Sequence, residues 1–208
     1  ECGHCLAVCP TDAVRINGVG QEQLEHVDRS LLPGPEQTAA WLRSRRSVRS
    51  YKDELVPAGV VTDLLELTRW APTARNQQNV HWLVVPTREK VSELAAMVAD
   101  WLRESELMPA VLARWDAGKD ILLRNAPVLV AAHAPESSYR PEVDCSIALT
   151  SLELAAPGLG LGACWAGFFM NAAVAYPPLR ERLALPEGHK VFGALMLGYP
   201  KYRYKFIP

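Results

Sequence analysis

What the chain lacks narrows it first. Its 22 Lys and Arg are balanced by 23 Asp and Glu. It therefore lacks the basic excess that a nucleic acid or an anionic membrane would favour. No apolar run approaches the roughly 18 residues of a membrane-spanning helix, although 49% of the residues are hydrophobic. No charged start leads into an apolar stretch, so no secretory leader is expected. There is no internal repeat and no long low-complexity tract. His4, His26, His133 and His189 lack the spacing of a metal site or a triad, and His81, beside Trp82, reads as a strand residue or a site-lining one. Ser47 is not framed by G-x-S-x-G, which excludes a hydrolase nucleophile. What remains is 208 residues, enough for one substantial domain with a short appendage. The sequence opens on Glu1 within what reads as a motif, and is expected to be a fragment or the ordered part of a longer protein.

That motif is ECGHCLAVCP. Cys2-x2-Cys5-x3-Cys9-Pro10 supplies three of the four thiols of the ferredoxin run C-x2-C-x2-C-x3-C-P. Soft thiolates at close spacing are the natural ligands of an iron–sulfur cubane. The predicted ligands are Cys2, Cys5 and Cys9 of a 4Fe-4S cluster, incomplete in this chain. A zinc knuckle or a cluster-free remnant is the alternative. Three of five cysteines at ligand spacing argue against a disulfide framework and for a reducing cytosol. Cys145 and Cys164 lie in apolar or Gly-rich surroundings and read as packing residues.

Hydrophobic periodicity organises the rest. Residues 1–20 form a Cys-rich segment with a β-like run at 13–16 ending at Asn17-Gly18, and 21–35 form a polar linker closed by Pro33-Gly34-Pro35. Residues 36–208 form the main domain. Helices are predicted near 35–44, over 60–70, 91–103 and 111–125, and over 143–156, the last buried on several sides. Strands are predicted at 81–85, 127–133 and 191–199. A few strands among many helices give an α+β layered domain. Trp41, Trp70, Trp82, Trp101 and Trp115 are read as core or dimer-interface residues.

Two basic segments carry the candidate chemistry. In RRSVRSY, Arg45, Ser47 and Arg49 alternate, so in an extended chain they face one side. Two guanidinium forks and a hydroxyl then suit a phosphate. Lys201 and Arg203 repeat the spacing after the last predicted strand. Either pair alone would read as solvated surface; two such pairs, each beside a core element, favour anion binding.

On RRSVRSY, APTARNQQNVHWLVV, LGLGACWAGFF and LGYPKYRYK, in this order, the chain resembles the FMN-dependent nitroreductase family, in its branch with an N-terminal ferredoxin-like extension. The resemblance spans residues 36–208. It implies a three-layer α/β/α sandwich with a mainly antiparallel central sheet, and a homodimer with FMN at the interface. Arg45, Arg46, Ser47 and Arg49 match the family's first FMN-binding block, with Arg49 toward the ribityl chain and pyrimidine edge. Lys201 and Arg203 match its phosphate-binding basic pair. Pro72, Thr73, Ala74 and Asn76 match a loop that the partner subunit lends to the flavin. Trp165, Ala166 and Gly167 match the segment lying against the isoalloxazine, with an amide near N5. A cation at the pyrimidine edge and an amide at N5 suit reduced flavin and hydride exchange, and the glycines of LGLGACWAG let backbone approach the ring. Their alternative role is a helix stop. The chain departs from the pattern at Asn79, where many relatives have Pro, and at Ala166, where many have an acid. Lys119 and Arg124 are loose candidates for a further flavin-directed cation.

The function so implied is a cytoplasmic FMN-dependent oxidoreductase with a ping-pong cycle, the flavin carrying the chemistry and no side chain acting as catalyst. Its acceptors are electron-poor rings such as nitroaromatics and quinones. Its donor is NAD(P)H or a ferredoxin-type protein, the latter feeding FMN through iron–sulfur clusters. Reductive dehalogenation, flavin breakdown or dehydrogenation, and a non-enzymatic flavin electron relay, are the alternatives.

Overall fold

The computed structural model describes residues 2–207. The chain divides into two compact units, Glu1–Arg43 and Ser44–Pro208.

The first unit holds helix α1 (His4–Val8) and two 3-10 turns, Gln21–Gln23 and Arg29–Leu31. The run 13–16 forms no strand; it contributes a single antiparallel bridge, Ile16 to Val19. Asn17 and Gly18 close it with φ of 52° and 84°, the left-handed pair of a type I′ turn. Gln21 Nε2 donates to the carbonyls of Leu6 and Cys9 at 2.8 and 2.7 Å, which ties the turn to α1. Helix α2 (Pro35–Ser44) follows.

The second unit is built on a four-stranded sheet of β1 (His81–Val85), β2 (Val128–Pro135), β3 (Gly162–Trp165) and β4 (His189–Gly198). Its order is β1-β2-β4-β3 and every pairing is antiparallel. β2 and β4 are central and almost continuously buried. Successive side chains of a strand point to opposite faces. Leu129, Ala131, Ala194 and Met196 accordingly enter one core with α4 (Arg88–Glu104), α7 (Gly167–Ala175) and α8 (Pro177–Leu183). Val128, Val130, Leu195 and Leu197 enter a second core with α3 (Ala58–Thr68) and α6 (Pro141–Ala155). The result is the expected three-layer α/β/α sandwich. Each fully buried leucine in these cores contributes about 1.5–3 kcal/mol.

Local chemistry explains the element ends. Thr87 caps α4 by accepting the N–H of Lys90. Val91, Leu94, Ala95, Val98 and Leu102 then fall on its core face. The helix expected over 111–125 is shorter: α5 spans Pro109–Asp116. Gly118 turns left-handed at φ 76°. Asp120 then holds the following loop with its carboxylate, accepting N–H groups of Leu122, Leu123 and Asn125 at 2.7–2.9 Å. Strand β3 and helices α7 and α8 are additions to the sequence reading. Among the described residues no helix is long and apolar enough to cross a membrane.

Candidate active site

The segment Arg45–Tyr51 runs along the β3 edge of the sheet. Ser47 bridges Ala163 in parallel and Tyr51 bridges Pro200 in antiparallel sense. The N–H of Val48 donates to Ala163 O at 2.9 Å. Gly162 permits this approach: a Cβ there would lie 2.6–2.9 Å from the Val48 side chain. Val48 and Tyr51 face inward, while Arg45 and Arg49 remain exposed. The Tyr51 hydroxyl donates to Val48 O at 2.7 Å, and burial pushes the phenol well above its ordinary value.

The two basic segments meet. Lys52 N–H donates to Tyr199 O at 2.8 Å and Lys201 N–H to Ser50 O at 3.0 Å. Arg46 donates through Nη1 to Arg45 O at 2.7 Å and through Nη2 to Phe206 O at 3.3 Å. Backbone pairing thus brings the chain after β4 alongside RRSVRSY, with Lys201 and Arg203 exposed. A further cation joins them. The Cys164 thiol is raised by burial, and Arg49 and Arg124 both oppose that rise, so both guanidinium groups act on the same point beside β3. Arg124, only a loose candidate in the sequence, sits half-buried there. Lys119 is exposed.

Trp165 ends β3, Ala166 is the N-cap of α7, and Gly167 is its first residue. Ala166 is fully buried, and its N–H is already given to Ala194 O at 2.9 Å. The first amides of a helix have no acceptor within it, so Gly167 is the donor this segment offers. A Cβ on Gly167 would meet nothing within 4 Å, leaving the approach to that amide open.

Sequence reasoning passed over one residue here. Glu153 on α6 is 6% exposed. Its Oε1 accepts from Arg45 Nη1 at 3.0 Å and its Oε2 from Trp165 Nε1 at 3.3 Å. The available signal was a carboxylate among the leucines Leu149, Leu152 and Leu154 of α6, where a buried charge requires partners.

The loop expected from the partner subunit lies elsewhere. Pro72, Thr73, Ala74 and Asn76 precede β1, whose His81 pairs His133 near the end of β2. Arg45–Tyr51 and Lys201 flank β3 and the far end of β4. The two groups occupy opposite edges of the sheet and opposite strand ends, so one protomer does not bring them together. The loop is shaped by strained backbone, with Arg75, Asn76 and Gln78 all at φ between 51° and 57°. Ala74 N–H donates to Asp144 Oδ1 at 2.8 Å, Gln78 N–H to Thr73 Oγ1 at 2.9 Å, and the Arg75 guanidinium lies 4.0 Å over the Tyr139 ring. Asn76 Nδ2 is buried with no partner, as is Asp144 Oδ2. A buried amide donor without an acceptor suits a polar ligand atom.

In the first unit, Cys2 and Cys5 are exposed and Cys9 is half-buried. The Cys9 thiol is drawn down to about 7, first by the Thr11 hydroxyl and then by the amides of Thr11 and Ala13. Among the described residues no group of three or more His, Cys, Asp or Glu is placed to hold a metal ion, Cys2, Cys5 and Cys9 included. The structure also gathers His81, His133 and His189, with ring centroids 5.0–5.5 Å apart. The sequence spacing had given no hint of this cluster.

The profile of the nitroreductase family matches residues 42–199. A 4-nitrobenzoate reductase from a Nocardioides species is 29% identical over 84% of this chain and 86% of its own length. An NAD(P)H FMN reductase from Bacillus subtilis is 31% identical over 78% of this chain and 65% of its own. The crystal structure of a nitroreductase with bound FMN from Bacteroides fragilis matches with a TM-score of 0.68 at 26% identity, covering 83% of this chain and 95% of that one. By class, then, the protein is an FMN-dependent oxidoreductase. The chain belongs to the nitroreductase family.

Proposed function

We propose that the protein binds one FMN at the β3 corner of each protomer and passes reducing equivalents, in two half-reactions at one pocket, from a small or protein donor to an electron-poor aromatic acceptor. The observation that carries this is the meeting of the two cationic segments through Lys52 to Tyr199 and Lys201 to Ser50. Arg45, Arg46, Ser47, Arg49, Lys201 and Arg203 hold the phosphate and ribityl end. Trp165 and Gly167 line the ring, Gly167 offering its amide and Ala166 anchoring that turn through Ala194 O. Bound FMN supplies the hydride and electron chemistry; the side chains bind, orient and neutralise charge. Acceptors of the nitroaromatic or quinone class stack on the exposed ring face.

The remaining contacts come from a second copy. Pro72, Thr73, Ala74 and Asn76 lie at the opposite corner of the sheet from Arg45, which supports a homodimer in which each loop completes the other protomer's site. The unpartnered Asn76 Nδ2 supports a polar ligand there. NAD(P)H is the first donor to test. The Cys2, Cys5 and Cys9 spacing favours a second reading, in which an iron–sulfur cluster relays electrons from a ferredoxin-type protein in the cytoplasm. The three thiols are not placed for metal here, so no step is routed through them.

The test is the visible spectrum of the purified protein under anaerobic conditions, before and after dithionite. Paired flavin bands that bleach support the FMN reading, and a broad underlying shoulder supports the cluster. No chromophore after added FMN overturns both. Sedimentation checks assembly: a fully flavinated monomer contradicts the shared site.

A further inference from the structure

We infer that Glu153 is the positioning residue of the flavin corner, holding Arg45 and Trp165 in register so that the Arg45 guanidinium meets the anionic end of the nucleotide. This rests on the proposed flavin site.

One carboxylate joins two elements that are distant in sequence. Arg45 reaches it from 108 positions away and Trp165 from 12. Both oxygens are engaged, one on each partner. Burying a lone carboxylate is costly, and an apolar residue of similar size would pack into α6 without that cost. The Arg45 guanidinium meets one oxygen of Glu153 and the Trp165 indole N–H meets the other, so neither oxygen is left without a partner. The pair is asymmetric: the Glu153 side chain is 7% exposed and that of Arg45 42%. The sealed member fixes the position of the open one.

The Trp165 indole is confined from the other side as well. A Cβ on Gly193 of β4 would lie 3.2 Å from its ring. Held between Gly193 and Glu153, the indole sets the direction in which β3 enters Ala166 and Gly167. Glu153 thus connects the cation expected at the phosphate end with the backbone expected at the ring.

Glu153 also shapes the local charge. An anion beside a phosphate would oppose binding, so the carboxylate aids the site only through Arg45. This gives a test that separates positioning from mere packing. FMN dissociation constants are measured by fluorescence titration of the intact chain and its E153Q, R45A and E153Q/R45A variants, with urea midpoints of each apoprotein alongside. The glutamine keeps an oxygen for Trp165 Nε1 and loses the charge that orients Arg45. In the wild-type background E153Q is expected to weaken FMN binding about tenfold, or about 1.4 kcal/mol. In the R45A background it is expected not to weaken FMN binding, since its route of action is gone and only a repelling charge is lost.

Equal weakening in both backgrounds overturns the inference and makes Glu153 a packing residue. Unchanged affinity in E153Q, with R45A still weakened, overturns it while leaving the flavin site standing. Unchanged affinity in R45A removes Arg45 from the site, and the inference with it. Absence of FMN uptake by the wild-type protein overturns the flavin reading itself.

Discussion

Ala74 donates its backbone N–H to Asp144 Oδ1 at 2.8 Å, which fastens the loop before β1 to the first turn of α6. Asp144 is 3% exposed, so water does not replace it readily. D144A leaves a loop amide without its acceptor and should lower stability by about 1–3 kcal/mol. D144N retains an oxygen and should lose less. Urea denaturation of the apoprotein measures both. Equal stability of D144A and wild type would show that the left-handed residues of the loop hold their shape unaided.

Lys201 and Arg203 supply the C-terminal half of the cationic corner. K201A/R203A should weaken FMN binding by a few kcal/mol, since a hydrogen bond to a charged group contributes about 1.5–3 kcal/mol. Both side chains are exposed, so the fold should be unaffected. Titration of the apoprotein with FMN gives the affinity and its urea midpoint gives the control.

Gly162 is where RRSVRSY meets the sheet. G162A would place a methyl 2.6–2.9 Å from the Val48 side chain, which must then move. The expected cost is about 1–3 kcal/mol of stability, together with weaker FMN binding as Arg45 and Arg49 are displaced. A thermal melt followed by FMN titration distinguishes this from a tolerant surface turn.

His133 carries the pH dependence. Burial, with His189 and then His81 adding to it, lowers its pKa from 6.5 to about 4. The ring is neutral in the folded protein where the unfolded chain is already protonated. Unfolding therefore takes up a proton, and stability falls as pH drops from about 6.5 to about 4, by at most about 1.4 kcal/mol per pH unit from this group. Above 6.5 the effect vanishes. Replacing His133 with Asn should flatten the urea midpoint between pH 7 and 5 relative to wild type.

The core strands and longer helices were legible because their patterns are strong. His81–Val85 is apolar, β-rich and bounded by turn residues, and it is β1 with those bounds. GACW is four residues long and opens on glycine, so β3 carries no alternation to detect. Helix α7, GFFMNAAVA, is apolar nearly all round and has no side-chain cap. The region 117–125 looked helical because periodicity records apolar spacing and does not record that Asp120 collects three loop amides. Within the site, the basic residues were visible, but their meeting depends on Lys201 pairing with Ser50, a contact across most of the chain. Glu153 and Asp144 escaped notice because the sequence of α6 does not show the partners that reach them from other elements, Arg45 and Trp165 for one and the Ala74 amide for the other.

Tyr51 stands beside this cationic corner with its hydroxyl committed to Val48 O and its proton held tightly by burial. A phenol in that state is no acid. Tyr51 is therefore not the expected source of protons consumed when an acceptor is reduced, and turnover should pass through the alkaline range around pH 10 without a limb belonging to it. Buried and tied to Val48 O, the ring serves as a strut for the cationic segment.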